Sequence, residues 1–188
     1  MIHKRSARQL RRLGVTASAI GWCVATTLVA PFPAAAQSGL PPTNLCATEG
    51  HREFDFWVGK WDVFDPRDNS LVAHSLIEKL YGGCAVRENW MPLKGSGGGS
   101  LNVYRPTPRS WRQTWVDSGN NVNEYAGGMA GGKMVLTGRA TDVREHSKRV
   151  RMTYESRRDG IVVQTGFHWS VTKRRWELDY QLDYRPAH

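Results

Sequence analysis

Cysteine is scarce in this chain, with three in 188 residues, and none stands in a Cys-x-x-Cys pair or beside a histidine. Zinc ribbons and thioredoxin-like redox chemistry therefore have no support, because both need closely spaced thiolates. Histidines 51, 74, 146, 168 and 188 show no metal-ligand spacing, and there is no Gly-x-Ser-x-Gly nucleophile elbow. The stretch from Gly127 to Met134 follows phosphate-loop spacing until its last position, where Met134 replaces the hydroxyl that would hold magnesium, and no helix pattern follows it. Nowhere past residue 50 does an apolar stripe recur at helical spacing, so an α-helical core is also excluded.

Acidic residues are few, 17 against 26 basic ones, but the excess is local. Lys4, Arg5, Arg8, Arg11 and Arg12 open the chain, an apolar run covers 13–32, and Ala34, Ala35 and Ala36 precede Gln37. Basic start, apolar middle and Ala-x-Ala exit predict a signal peptide over 1–36, hence a periplasmic or secreted product with no membrane attachment after cleavage. A retained anchor is the rival, since the run approaches the ~18 residues a spanning helix needs, but Pro31, Pro33 and the small-residue exit favour cleavage. Without the leader, 21 basic residues face 17 acidic ones, a balance of +4. A nucleic-acid partner thereby loses its main support, and the clusters at 144–151 and 173–175 read as solvated turns. Residues 37–50, rich in Pro, Ser and Thr, read as a linker or arm, and 51–188 as one domain. Cys46 and Cys84 remain after cleavage. In an oxidising compartment one bridge between them is expected, two buried thiols being the alternative.

Short apolar runs with turn signals between them make up the rest. Strands are expected at 61–64, 72–80, 85–90, 100–104, 111–117, 122–126, 133–142, 150–155, 161–169 and 175–184. Ten strands with tight connections predict an all-β fold, an up-and-down antiparallel barrel, with a two-sheet sandwich as the alternative. Strict alternation assigns one buried face to Trp176, Leu178, Tyr180, Leu182 and Tyr184. The same rule turns Val150, Met152 and Tyr154 inward, and likewise Met134 with Leu136 and Leu101 with Val103.

The densest aromatic cluster is Phe54-Asp55-Phe56-Trp57-Val58-Gly59-Lys60-Trp61-Asp62-Val63. Its Gly-x-Trp resembles the opening of lipocalin-like (calycin) barrels, in which glycine permits a tight entry and the indole plugs one end. That resemblance gives Trp57, Gly59 and Trp61 structural roles, with Arg185 lying across Trp61 as a cation over an indole face. Further matches are Gly83-Cys84 with Glu88 and Trp90, Gly99 to Tyr104, Trp111 to Asp117, Gly132 to Leu136, and Asp159-Gly160 through Gln164 to Trp176. Together they resemble a family of uncharacterised secreted bacterial proteins related to calycins, over nearly all of the mature chain. The chain departs from that pattern where Phe167 and 170–175 replace an acidic residue and a Ser-x-Asp-Gly-Gly turn.

Alternation also places polar groups beside indoles. Trp111, Gln113, Trp115 and Asp117 share a face, as do Cys84, Val86, Glu88 and Trp90, and His74, Leu76, Glu78 and Leu80. Glu78, Glu88, Gln113 and Asp117 are therefore expected inside, where a carboxylate must be paired, hydrogen-bonded or protonated. A pocket lined by Glu78, Trp90, Gln113, Trp115, Tyr154 and Tyr180 is the expectation, holding a small apolar or aromatic molecule. A second reading is an enzyme, a lyase, isomerase or hydrolase, with Glu88 or Asp117 as acid or base. A third is a solidly packed barrel that acts through its surface. No motif calls for a cofactor, and a haem would require His74 inside.

Overall fold

The computed structural model describes residues 44–141 and 147–187. The expected leader, the cleavage site at Gln37 and the first half of the arm lie outside the described residues. Ten strands follow one another: β1 (Gly59–Asp65), β2 (Ser70–Leu80), β3 (Ala85–Pro92), β4 (Gly98–Arg105), β5 (Ser110–Asp117), β6 (Val122–Ala130), β7 (Lys133–Thr141), β8 (Ser147–Ser156), β9 (Val162–Ser170) and β10 (Arg175–Pro186). Each pairs antiparallel with the next, and β1 closes on β10, so the sheet is a closed barrel of lipocalin/calycin-like form rather than a sandwich. Closure leaves no unpaired sheet edge.

The aromatic cluster forms the floor. A short helix α1 (Glu49–Arg52) and a 3-10 turn (Asp55–Trp57) carry Phe54 and Trp57 under the barrel, where both are fully buried. Phe54 stacks on Trp57 at 5.0 Å and meets Trp111 and Tyr154 edge-on at 5.4 and 5.2 Å. Trp61 is 6% exposed, and its indole N–H donates to the Trp57 carbonyl at 2.9 Å. Gly59 enters β1 with φ of +153°, a region that favours glycine. A disulfide joins Cys46 to Cys84, tying the start of this plug to the start of β3 across a separation of 38 residues. Closing such a loop contributes about 3–4 kcal/mol in the chain-entropy model.

Alternation holds as expected in β3, β5, β7 and β8, and fails in three places. In β2 the buried positions are Ala73, Ser75 and Ile77, so His74 and Glu78 face outward. There His74 Nδ1 lies 2.7 Å from Asp62, and Glu78 pairs with Arg87. In β4 Ser100 and Asn102 are buried while Leu101 is 42% exposed, the reverse of the hydrophobic pattern. The β9–β10 ladder skips a residue between Leu178 and Tyr180. This bulge at Asp179 keeps Tyr180, Leu182 and Tyr184 inside but turns Trp176 and Leu178 out. Trp176 there packs edge-on with Trp169 at 5.5 Å, beneath the guanidinium of Arg151 at 4.2 Å. Arg185 is likewise corrected: opposite Asp62 on the outer face, it cannot cross the inward Trp61. It lies 4.1 Å over the ring of Phe64 instead and donates to Asn69 at 2.7 Å.

Candidate functional site

Above the aromatic floor the barrel is not packed solid. A cavity of about 320 Å³ opens there, bounded by Glu88 and Trp90 of β3, Gln113 and Trp115 of β5, Asn123 and Tyr125 of β6, Met152 and Tyr154 of β8, Gln164 of β9, and Tyr180, Leu182 and Tyr184 of β10. Two glycines make room for its walls. Tyr180 pairs with Gly166, and a Cβ on Gly166 would sit 2.2 Å from the tyrosine ring. Tyr125 pairs with Gly138, where a Cβ would stand 2.0 Å from the Glu124 carbonyl and 3.0 Å from the ring. Each tyrosine thus lies flat against a strand that has no side chain to lift it.

The cavity's polar end is one hydrogen-bonded circuit. Ser100 Oγ donates to Glu88 Oε2 at 3.1 Å, Asn102 Nδ2 to Ser100 Oγ at 3.0 Å, and Gln113 Nε2 to Asn102 Oδ1 at 2.8 Å. The second proton of Gln113 Nε2 reaches Tyr154 Oη at 3.4 Å, which also accepts from Gln164 Nε2 at 3.0 Å. Tyr184 Oη lies 2.9 Å from Gln164 Oε1 and 3.3 Å from Glu88 Oε1, closing the circuit. Its sense is set by the backbone. Asn102 Nδ2 also donates to the Val86 carbonyl at 3.0 Å, which orients that amide and, through it, Gln113. Gln113 therefore turns its Oε1 away from the circuit, where it accepts from no described residue.

The circuit also locates a proton. Tyr184 carries one hydroxyl hydrogen, and the nearer acceptor is Gln164. With one hydrogen between two acceptors, the Tyr184 hydroxyl satisfies only one of them at a time, and a proton on Glu88 supplies the hydrogen the other contact lacks. Electrostatics agrees: burial drives the Glu88 pKa from 4.5 up to about 7, against the opposing hydrogen bonds from Ser100, Tyr184 and Ser75. Burial likewise pushes the Tyr125 hydroxyl up to about 12 and holds Tyr154 and Tyr184 well above their ordinary value.

Of the residues expected to line the pocket, Trp90, Gln113, Trp115, Tyr154 and Tyr180 are brought together with Glu88. Glu78 is not, being on the outer face. Asp117 shares the inward parity but sits at the rim as the anchor of the β5–β6 turn. Its Oδ1 accepts from the Gly119 N–H at 2.8 Å and the Asn121 N–H at 3.2 Å, and its Oδ2 from the Trp115 indole at 3.1 Å. Those bonds outweigh desolvation and hold its pKa below the ordinary value, unlike that of Glu88. Ser75, Ser100, Asn102 and Gln164 are members of the circuit that alternation did not single out. The signal for β4 was present in its hairpin: the Pro106-Thr107-Pro108 turn sets Tyr104 opposite Trp111, and opposed residues share a face. Among the described residues no group of His, Cys, Asp and Glu has the geometry of a metal site.

No family model matches the chain, and no curated protein matches it.

Proposed function

We propose that this chain is an exported binding protein, periplasmic or secreted, whose barrel holds a compact aromatic or apolar molecule with one polar end. The observation that carries the reading is the union of aromatic walls with a polar circuit whose Glu88 and Gln113 line a cavity of about 320 Å³. Preformed, mostly apolar pockets with a few orienting polar groups are the usual form of small-molecule sites. An apolar cavity of roughly 150 Å³ takes one benzene, so this one suits a molecule of one or two rings. Export is supported by the basic start, apolar run and Ala-x-Ala of 1–36 and by the disulfide. No helix among the described residues is long and apolar enough to cross a membrane.

Native mass spectrometry of protein purified from its own host, with a titration by benzyl alcohol followed through tryptophan fluorescence, tests the reading. Trp90 and Trp115 border the cavity, so occupancy should change emission saturably. No retained mass and no saturable change would refute it.

One observation favours catalysis as a second reading. A buried carboxyl whose pKa is pushed up to about 7 is suited to proton transfer. Glu88 alone carries that reading, because Asp117 is committed to its turn.

A further inference from the structure

The proposed binding reading leaves open the charge of the occupant. Among the described residues Glu88 is the only acidic residue lining the cavity, and no described lysine, arginine or histidine lines it. Glu88 is 4% exposed and makes no ion pair among the described residues. From β10 it faces Tyr184 and Tyr180, and from β8 Tyr154; β2 and β4 present only the neutral hydroxyls of Ser75 and Ser100, and β5 the neutral Gln113. Around the same space stand the rings of Trp90, Trp115, Tyr125 and Tyr180, whose faces are electron-rich. The amide of Gln113 spends both protons on Asn102 and Tyr154 and offers only its oxygen. A carboxylate or phosphate placed here would meet a carboxyl, an amide oxygen and π faces, with no cation among the described lining residues to compensate it.

We infer that the site selects a small organic ammonium ion, held by the aromatic walls with Glu88 as its counter-ion. The positive centre supplies the partner the buried carboxyl lacks, and the rings add attraction that needs no hydrogen-bond geometry, as in aromatic cages for methylated amines. Binding draws a proton off Glu88, since an adjacent cation favours the ionised carboxylate. The carboxyl proton passes to solvent and no bond to the ligand forms.

The inference rests on the proposed binding reading, and three ring-matched probes separate the two: benzyltrimethylammonium, benzyl alcohol and phenylacetate, titrated calorimetrically into the oxidised chain at pH 8. The cation should bind at least tenfold tighter than the alcohol, and phenylacetate weakest. Glu88→Gln should remove most of the cation's advantage over the alcohol. The quaternary probe has no proton to lose. Titration at pH 7 in buffers of different ionisation enthalpy should therefore show about half a proton released by the protein per ligand bound, vanishing by pH 9. This second measurement needs only the unaltered chain. Saturable binding of the alcohol with no preference for the cation, or cation binding without proton release, overturns the charge assignment and keeps the cavity reading. Failure of all three probes to bind overturns both.

Discussion

Replacing Glu88 by glutamine isolates the largest electrostatic cost inside the barrel. In the unfolded chain the carboxyl ionises near 4.5, and in the folded barrel near 7. Between those values the folded state holds a proton that the unfolded state has released, so unfolding stability falls as pH rises from about 4.5 to about 7 and is level above. The shift of about 2.5 pKa units at about 1.4 kcal/mol each amounts to roughly 3 kcal/mol of stability lost across that window. Glutamine cannot ionise, and its amide still accepts from Ser100 and donates to Tyr184. At pH 5, where Glu88 is neutral, the variant and the parent should therefore agree within about 1 kcal/mol. At pH 8 to 9 the variant should be the more stable by ~2 to 3 kcal/mol. Urea unfolding of the two oxidised proteins at unit pH steps, followed by tryptophan emission and far-ultraviolet circular dichroism, measures the difference directly. Groups titrating elsewhere cancel in the comparison. Parallel stability curves, or a variant less stable at pH 8 than at pH 5 relative to the parent, would refute both the proton on Glu88 and the electrostatic account of its pocket.

Trp61→Ala should cost about 3–5 kcal/mol in urea unfolding, as the removal of a large floor side chain, and a loss below 1 kcal/mol would contradict its role. Asp117→Ala should cost about 1–2 kcal/mol by freeing the turn N–H groups, with benzyl alcohol binding unchanged. Because the folded state depresses the Asp117 pKa, the stability it contributes is present above the unfolded carboxylate range and lost as pH falls below it, and the variant should lack that acid-side loss. Gly166→Ala should displace the Tyr180 ring toward the cavity, weakening probe binding by about tenfold at a stability cost near 1 kcal/mol, as a fluorescence titration beside a melt would show.

All ten expected strands exist, because turn chemistry and period-two patterning act within a few residues of one another and survive any tertiary arrangement. The aromatic opening was legible for the same reason, since large rings at that density have nowhere to go but inside. In the polar circuit Tyr154 and Tyr184 followed from apolar alternation, while Gln113 and Glu88 were legible because an indole marked the face. Gln113 sits between Trp111 and Trp115, and Glu88 two residues from Trp90, so their orientation followed from their neighbours. Ser100 and Asn102 alternate with Leu101 and Val103, and hydrophobicity alone turns such a strand the wrong way. Only the cross-strand partner corrects it, which is non-local information. Glu78 fails likewise, because β2 buries the small Ala73 and Ser75 and leaves Leu76 partly covered outside. The inversion of Trp176 has a different origin: a single bulged residue at Asp179 shifts parity for the upper part of β10, and an unbroken alternating sequence carries no trace of it.

The bond between Cys46 and Cys84 secures the base of the barrel from outside. Phe54 and Trp57 lead directly into β1 and are held by the rings of Trp111 and Tyr154, by the Trp111 indole on Glu53 and by Lys79 on Asp55. The disulfide adds a second covalent link, from the residues ahead of α1 to the start of β3. Its reduction would free the arm while those rings stay packed, so the bond guards the depth of the chamber rather than creating it. For a chain proposed for export, that safeguard is gained only in a compartment that oxidises thiols.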